Sequence, residues 1–250
     1  MTPADLAAAF GAGIACGGIN AVVGSGTLVT FPVLLALGYS PLVANVSNTV
    51  GLVPGGFSGV AGYRRELEGQ GRRIATLGAA ALIGGTVGAA LLLELPASVF
   101  KGAVPVLILV ACALVLLQPV ARRVAAARGV GGTGNGGWPL RFGAFLVAIY
   151  GGYFGAAQGV VLMSMLGTAL HDGIQRLNAL KIVLALASNV AAAIVYAVVA
   201  PVAWPIAGAL AAGTLLGGYG GAKIGRRLSP KVLRGAIVVI GVVAAVKLLA

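Results

Sequence analysis

Arg64-Arg65-Glu66-Leu67-Glu68-Gly69-Gln70-Gly71-Arg72-Arg73 separates two long apolar runs and carries four arginines. The chain aligns with itself at an offset of 133 residues, with Gly26 on Gly159, Asn45 on Asn178 and Asn48 on Lys181, and internal duplication is the simplest account of that register. Where the second half should repeat the arginine-rich stretch it reads Ala200-Pro201, with no basic residue. At the next connection the contrast reverses: Lys101 stands alone in the first half, against Lys223, Arg226, Arg227, Lys231 and Arg234 in the second. In membrane proteins Lys and Arg collect in short cytoplasmic loops. Equivalent loops therefore belong on opposite faces, and the two repeats are expected to be inverted.

The composition agrees with a membrane setting. Charged residues make up 9% of the chain and hydrophobic residues 59%, with a mean hydropathy of +1.04, whereas a soluble domain carries about 25% charged residues. A net charge of +12 would suit a nucleic-acid partner if it formed one surface. Here it is dealt out between apolar runs, so the expected surroundings are a lipid bilayer with anionic headgroups and no nucleic acid. The start, Met1-Thr2-Pro3-Ala4-Asp5, lacks the basic region of a cleaved signal, and the first segment is expected to be retained. Cys16 and Cys112 both lie in apolar runs, where a thiol acts as a small hydrophobe, and no disulfide is implied.

Three full-length helices are expected in each half, over 42–63, 74–94 and 98–121, and over 177–199, 202–222 and 231–249. Before each trio stands a stretch, 4–38 and 140–170, too long for one crossing and interrupted by Gly24-Ser25-Gly26 and Gln158-Gly159; each reads as two short helices joined at a break. The chain thus divides into a first transmembrane repeat (1–121), a basic cytoplasmic linker (122–139) and a second repeat (140–250). Four clusters hold fifteen of the seventeen basic residues: Arg64, Arg65, Arg72 and Arg73; Arg122, Arg123, Arg128 and Arg141; Arg176 and Lys181; and the five from Lys223 to Arg234. With an odd number of crossings per repeat, all fifteen share a side against Lys101 and Lys247; with a single crossing for each broken stretch the split is nine against eight. The positive-inside rule selects the first. It gives a multi-pass protein with both termini outside the cytoplasm; eight ordinary helices in parallel repeats are the alternative.

Irregular backbone at membrane depth persists only where it is buried in protein or lines a polar cavity. Gly24, Ser25, Gly26 and Thr27 in one break and Gln158 and Gly159 in the other are therefore candidate site residues. The N-terminus of each second half-helix would offer amide donors and the positive end of a helix dipole to an anion. The glycines at 84, 85 and 88, and at 217, 218, 220 and 221, read instead as helix-packing residues, with faces that leave room for a homodimer. After each break the long helix opens with polar residues. Asn45 and Asn48 share one helix face, as do Asn178 and Lys181. Lys181, a turn inside its helix, is either a functional cation or a snorkelling one. Ser188 and Asn189, halfway along, should face the bundle interior. The five carboxylates, Asp5, Glu66, Glu68, Glu94 and Asp172, lie at segment ends or in loops, so no buried acid is expected for cation binding or proton relay, and no metal site or cofactor is implied.

The run Gly24-Ser25-Gly26-Thr27-Leu28-Val29-Thr30-Phe31-Pro32-Val33-Leu34-Leu35-Ala36-Leu37-Gly38 with Ala44-Asn45-Val46-Ser47-Asn48-Thr49 resembles the first repeat of the TauE/SafE sulfite exporter family of permeases. Arg176-Leu177-Asn178-Ala179-Leu180-Lys181, Ser188-Asn189 and Gly217-Gly218-Tyr219-Gly220-Gly221-Ala222-Lys223 resemble its second. The resemblance implies a secondary inner-membrane transporter of small, often sulfur-containing anions such as sulfite, sulfonates or organosulfur acids. One departure is the second glycine-rich turn, reduced to Ala156-Ala157-Gln158-Gly159, which makes Gln158 a candidate specificity residue. The expected mechanism is alternating access around the two breaks. An anion channel is the nearer alternative. An intramembrane enzyme with Ser25 as nucleophile is the more distant one, since the sole histidine, His171, falls in a connection and no catalytic residue is otherwise indicated.

Overall fold

The computed structural model describes residues 2–128, 137–224 and 230–249. Among them all regular structure is helical: α1 (Pro3–Val22), α2 (Thr27–Ala36), α3 (Pro41–Gly62), a 3-10 turn (Arg64–Leu67), α4 (Gly71–Glu94), α5 (Ala97–Arg128), α6 (Trp138–Tyr153), α7 (Gln158–Ala169), α8 (Ile174–Val199), α9 (Trp204–Ile224) and α10 (Pro230–Leu249). Local chemistry sets several boundaries. Thr2 and Asp5 form a reciprocal capping box ahead of Pro3, and the Ser40 hydroxyl accepts from the Val43 amide ahead of Pro41.

Two expectations change. The first broken stretch is not a pair of short helices, because α1 has 20 residues and is long and apolar enough to cross a membrane, while α2 has 10 and is not. The helix expected over 98–121 runs further, since α5 continues through Arg128. Ala125, Ala126 and Ala127 favour helix and Gly129 follows them. Linker residues 129–136 lie outside the described residues, as do Arg226 and Arg227 of the last basic cluster. Besides α1, the helices α4 and α8 and the stretch Ser98–Leu117 of α5 are long and apolar enough to span.

The most extensive pairings are α1 with α9 and α4 with α6, followed by α3 with α9 and α4 with α8. Exchanging the halves, α1 for α6 through α5 for α10, maps these pairings onto one another. Glycines allow the closest approaches: a Cβ on Gly17 would meet the Thr214 carbonyl at 2.5 Å, and one on Gly85 the Ser188 carbonyl at 2.5 Å. Gly220, expected to pack in the same way, faces nothing within 4 Å. The order of contacts gives helix directions. Gly13 faces Leu210 and Gly17 faces Thr214, so α1 runs parallel to α9; Gly51 faces Leu210 and Gly55 faces Thr214, so α3 does too. Gly84 faces Phe145 and Gly88 faces Ile149, so α6 runs parallel to α4; Gly56 faces Leu186 and Gly59 faces Ile182, so α8 runs antiparallel to α3.

Candidate functional site

Both breaks close their first helix in the same way. The amides of Val23 and Gly24 donate to the Ile19 carbonyl at 2.7 and 3.0 Å, and those of Phe154 and Gly155 to the Tyr150 carbonyl at 2.9 and 3.0 Å. Gly24 and Gly155 then take positive φ, +86° and +74°, which glycine alone adopts without steric cost. The structural counterpart of Gly24 is therefore Gly155, an offset of 131 through the break; the offset of 133 holds from the ends of α2 and α7 onward because α7 is two residues longer. This corrects the pairing of Gly26 with Gly159.

The breaks touch. The Gly159 amide donates to the Gly24 carbonyl at 3.1 Å, and a Cβ on either glycine would lie 2.6 Å from the other's Cα. The Gly26 amide donates to the Asn20 side-chain oxygen at 2.7 Å. Two amides expected to face an anion are thus already bonded within the protein. Side chains surround this contact.

Those side chains line a cavity of about 740 Å³, its open mouth included, between α1, α2, α3, α6, α7, α8 and α9. Of the residues expected at the site, Gly24, Thr27, Asn48, Gln158, Gly159, Lys181 and Asn189 line it. Ser25, Gly26, Asn45, Asn178 and Ser188 do not. Gly26 packs on Cys16, and Ser188 donates to the Ala148 carbonyl at 3.1 Å in the α6–α8 contact. Ser25 is buried with its hydroxyl unpartnered, and His171 is exposed in the connection before α8. Gln158 is buried against Gly151, and its Nε2 has no hydrogen-bond partner.

Lys181 is only 1% exposed. Its Nζ donates to Asn178 Oδ1 at 2.8 Å and to the Asn20 carbonyl at 3.2 Å, in the last turn of α1, where the negative end of the helix dipole favours a cation. It does not snorkel to the surface. None of the five carboxylates is buried, and among the described residues that line the cavity Lys181 alone has an ionisable side chain. The Asn178 Nδ2 in turn donates to the Ala21 carbonyl at 3.0 Å.

Sequence reasoning missed Asn20, Thr49 and Thr214, which also line the cavity. Asn20 carried a signal, a lone amide near the end of an otherwise apolar run, of the kind that singled out Ser188 and Asn189. Thr214 donates to the Gly51 carbonyl at 2.7 Å and is indistinguishable in sequence from a packing threonine.

At one end of the bundle the connections of the two halves are clasped together. Asp172 pairs with Arg73 at 2.6 Å and with Arg176 at 2.8 Å. Arg176 also donates to the Glu68 carbonyl at 3.0 Å, and Gln70 to the Arg176 carbonyl at 3.1 Å. Partial desolvation of Asp172 opposes its charge, but hydrogen bonds from Arg73 and the Gly173 amide, with Arg176 beside it, outweigh that and hold the carboxyl below its ordinary range. Arg73 and Arg176 thus share one end of the molecule, as their clusters were expected to.

No curated protein and no solved structure matches the chain. The description "Sulfite exporter TauE/SafE" belongs to a family model that matches residues 9–248. With nearly its whole length matched, with apolar helices of spanning length and a buried polar cavity between them, the chain belongs to the TauE/SafE family of membrane transporters.

Proposed function

We propose that this protein is a secondary transporter of small anions, sulfur-containing ones such as sulfite, sulfonates or organosulfur acids, working by alternating access between two inverted repeats, 1–121 and 140–250. The observation that carries the reading is Lys181, a buried amine on the wall of a central cavity where the two chain breaks meet, in a protein without a buried carboxylate. An anion gains there from the ammonium and from neutral side chains such as Gln158, Asn189 and Thr27. Inversion is supported by the helix directions: α1 and α3 follow α9 and α8 opposes α3, while α6 runs with α8, since Ser188 bonds to Ala148 and Tyr196 to Gly152. The family description supports sulfite or a chemical relative as cargo. The basic connections belong on the cytoplasmic side of the cell membrane, which leaves both termini outside.

The test is sulfite binding to purified protein, read as a rise in thermal stability in detergent, together with sulfite counter-flow in proteoliposomes. Wild type is expected to show both; Lys181→Met and Gln158→Ala are expected to lose the sulfite-dependent rise while remaining monodisperse. Counter-flow separates a carrier from a channel, which shows none. Unchanged binding in both variants would remove the site assignment.

A further inference from the structure

Asn45 and Asn178 occupy equivalent positions and make equivalent tethers across the halves. Asn45 Nδ2 donates to the carbonyl of Tyr153, the last residue of α6, at 2.9 Å; Asn178 Nδ2 donates to the carbonyl of Ala21, near the end of α1, at 3.0 Å. Carbonyls at a helix C-terminus have no intrahelical partner, so each asparagine satisfies one in the opposite half. The two differ at their other end. Three residues on, position 181 is lysine and position 48 asparagine. Asn178 Oδ1 accepts from the Lys181 ammonium at 2.8 Å, whereas Asn45 Oδ1 is buried with no partner and Asn48 Oδ1 accepts from the Thr30 hydroxyl instead.

We propose that Asn178 is a positioning residue: it does not line the cavity, but holds the Lys181 ammonium beside the Gly24–Gly159 contact, where a transported anion binds. The inference rests on the anion-transport reading above. Lysine is a compact charge on a flexible four-carbon stem, and a long stem lets the charge reach for better-hydrated surroundings. Asn178 Oδ1 opposes that by fixing one proton direction of the ammonium, and its own orientation is fixed by the tether to Ala21. The result places Nζ 3.4 Å from the point where a Cβ on Gly24 would lie, against the meeting of the two breaks. Asn45, with the same tether and no lysine, is the built-in control.

The experiment titrates sulfite against thermal stability of purified wild type, Lys181→Met, Asn178→Ala and Asn45→Ala. The two asparagine variants lose the same type of tether, so both should unfold at lower temperature. Sulfite affinity should fall about tenfold or more for Asn178→Ala, the loss of one charge-assisted hydrogen bond, and less than about threefold for Asn45→Ala. Equal losses in the two asparagine variants, with Lys181→Met inactive, would overturn the positioning role while leaving the transport reading intact. Full binding by Lys181→Met, or no binding by wild type, would remove the reading and this inference together. If Asn178→Ala does not fold, the pair Lys181→Met/Asn48→Lys decides: it should regain sulfite binding through the unpartnered Asn45 oxygen and lose it again on adding Asn45→Ala. No regain, or regain indifferent to Asn45, would overturn the proposal.

Discussion

Gly24 and Ala157 both hold left-handed backbone, with φ of +86° and +60°, yet they should respond oppositely to exchange. A methyl at Gly24 would meet the Gly159 Cα at 2.6 Å, a backbone atom that cannot swing aside. Overpacking costs about 1–3 kcal/mol and the left-handed penalty adds about 1–2 kcal/mol, so Gly24→Ala should destabilise by several kcal/mol. At Ala157, fully buried, Ala→Gly relieves about 1–2 kcal/mol of that penalty, but loses about 0.8 kcal/mol of methyl burial and about 0.4–1 kcal/mol through the freer unfolded chain. These nearly cancel, and Ala157→Gly should lie within about 1 kcal/mol of wild type by the same magnitudes. Thermal unfolding in detergent checks both; a Gly24→Ala protein as stable as wild type would mean the breaks do not touch. At this scale the site was partly legible. Lys181, Gln158 and the glycines stood out because polarity or flexibility inside an apolar run has few innocent explanations. The role of Asn178 was not, because its tether reaches Ala21, 157 residues away in sequence, and no local pattern encodes that contact.

Among elements, the clasp between the α3–α4 and α7–α8 connections carries its own expectation. The Asp172 carboxyl is held below its ordinary range in the folded protein, so its contribution is present above the unfolded pKa, about 3.9, and is lost as pH falls through the lower folded value. The clasp should therefore be indifferent to pH between about 5 and 8 and fail only in stronger acid. Asp172→Asn should raise amide exchange in residues 63–70 and 170–176 at neutral pH and abolish its acid dependence. Exchange unchanged by the substitution would show that Arg73 and Arg176 do not hold the connections together. Helix positions were the most legible feature of the chain, because long apolar runs between charged connections admit few other readings. The arms of the first broken stretch were less so. Thr2 to Asp5 mark where the first helix starts, but the Ala- and Gly-rich run before Gly24 carries nothing that separates a 20-residue helix from a shorter one. The two extra residues of α7 are likewise hidden, since sequence identity aligns Gly26 with Gly159 while backbone closure aligns Gly24 with Gly155.

For the whole molecule, the arrangement of basic residues and the directions of the helices bear on one quantity, the side of the membrane on which each connection lies. Arg72 at the start of α4, Arg141 at the start of α6 and Lys101 at the start of α5 are all exposed. α4 and α6 run parallel, so their starts lie towards the same end, and α5 begins just after α4 has reached the other. In inverted repeats with basic connections inside, cysteines introduced by Arg72→Cys and Arg141→Cys should react with a membrane-impermeant maleimide only from the cytoplasmic face, and one introduced by Lys101→Cys only from the opposite face. The native cysteines, Cys16 and Cys112, are 0% and 3% exposed and should contribute little background. Labelling of Arg72→Cys and Arg141→Cys from different compartments would contradict the parallel course of α4 and α6. Labelling of all three from one compartment would instead leave α4 short of the far face, and the two breaks could not then meet inside the membrane.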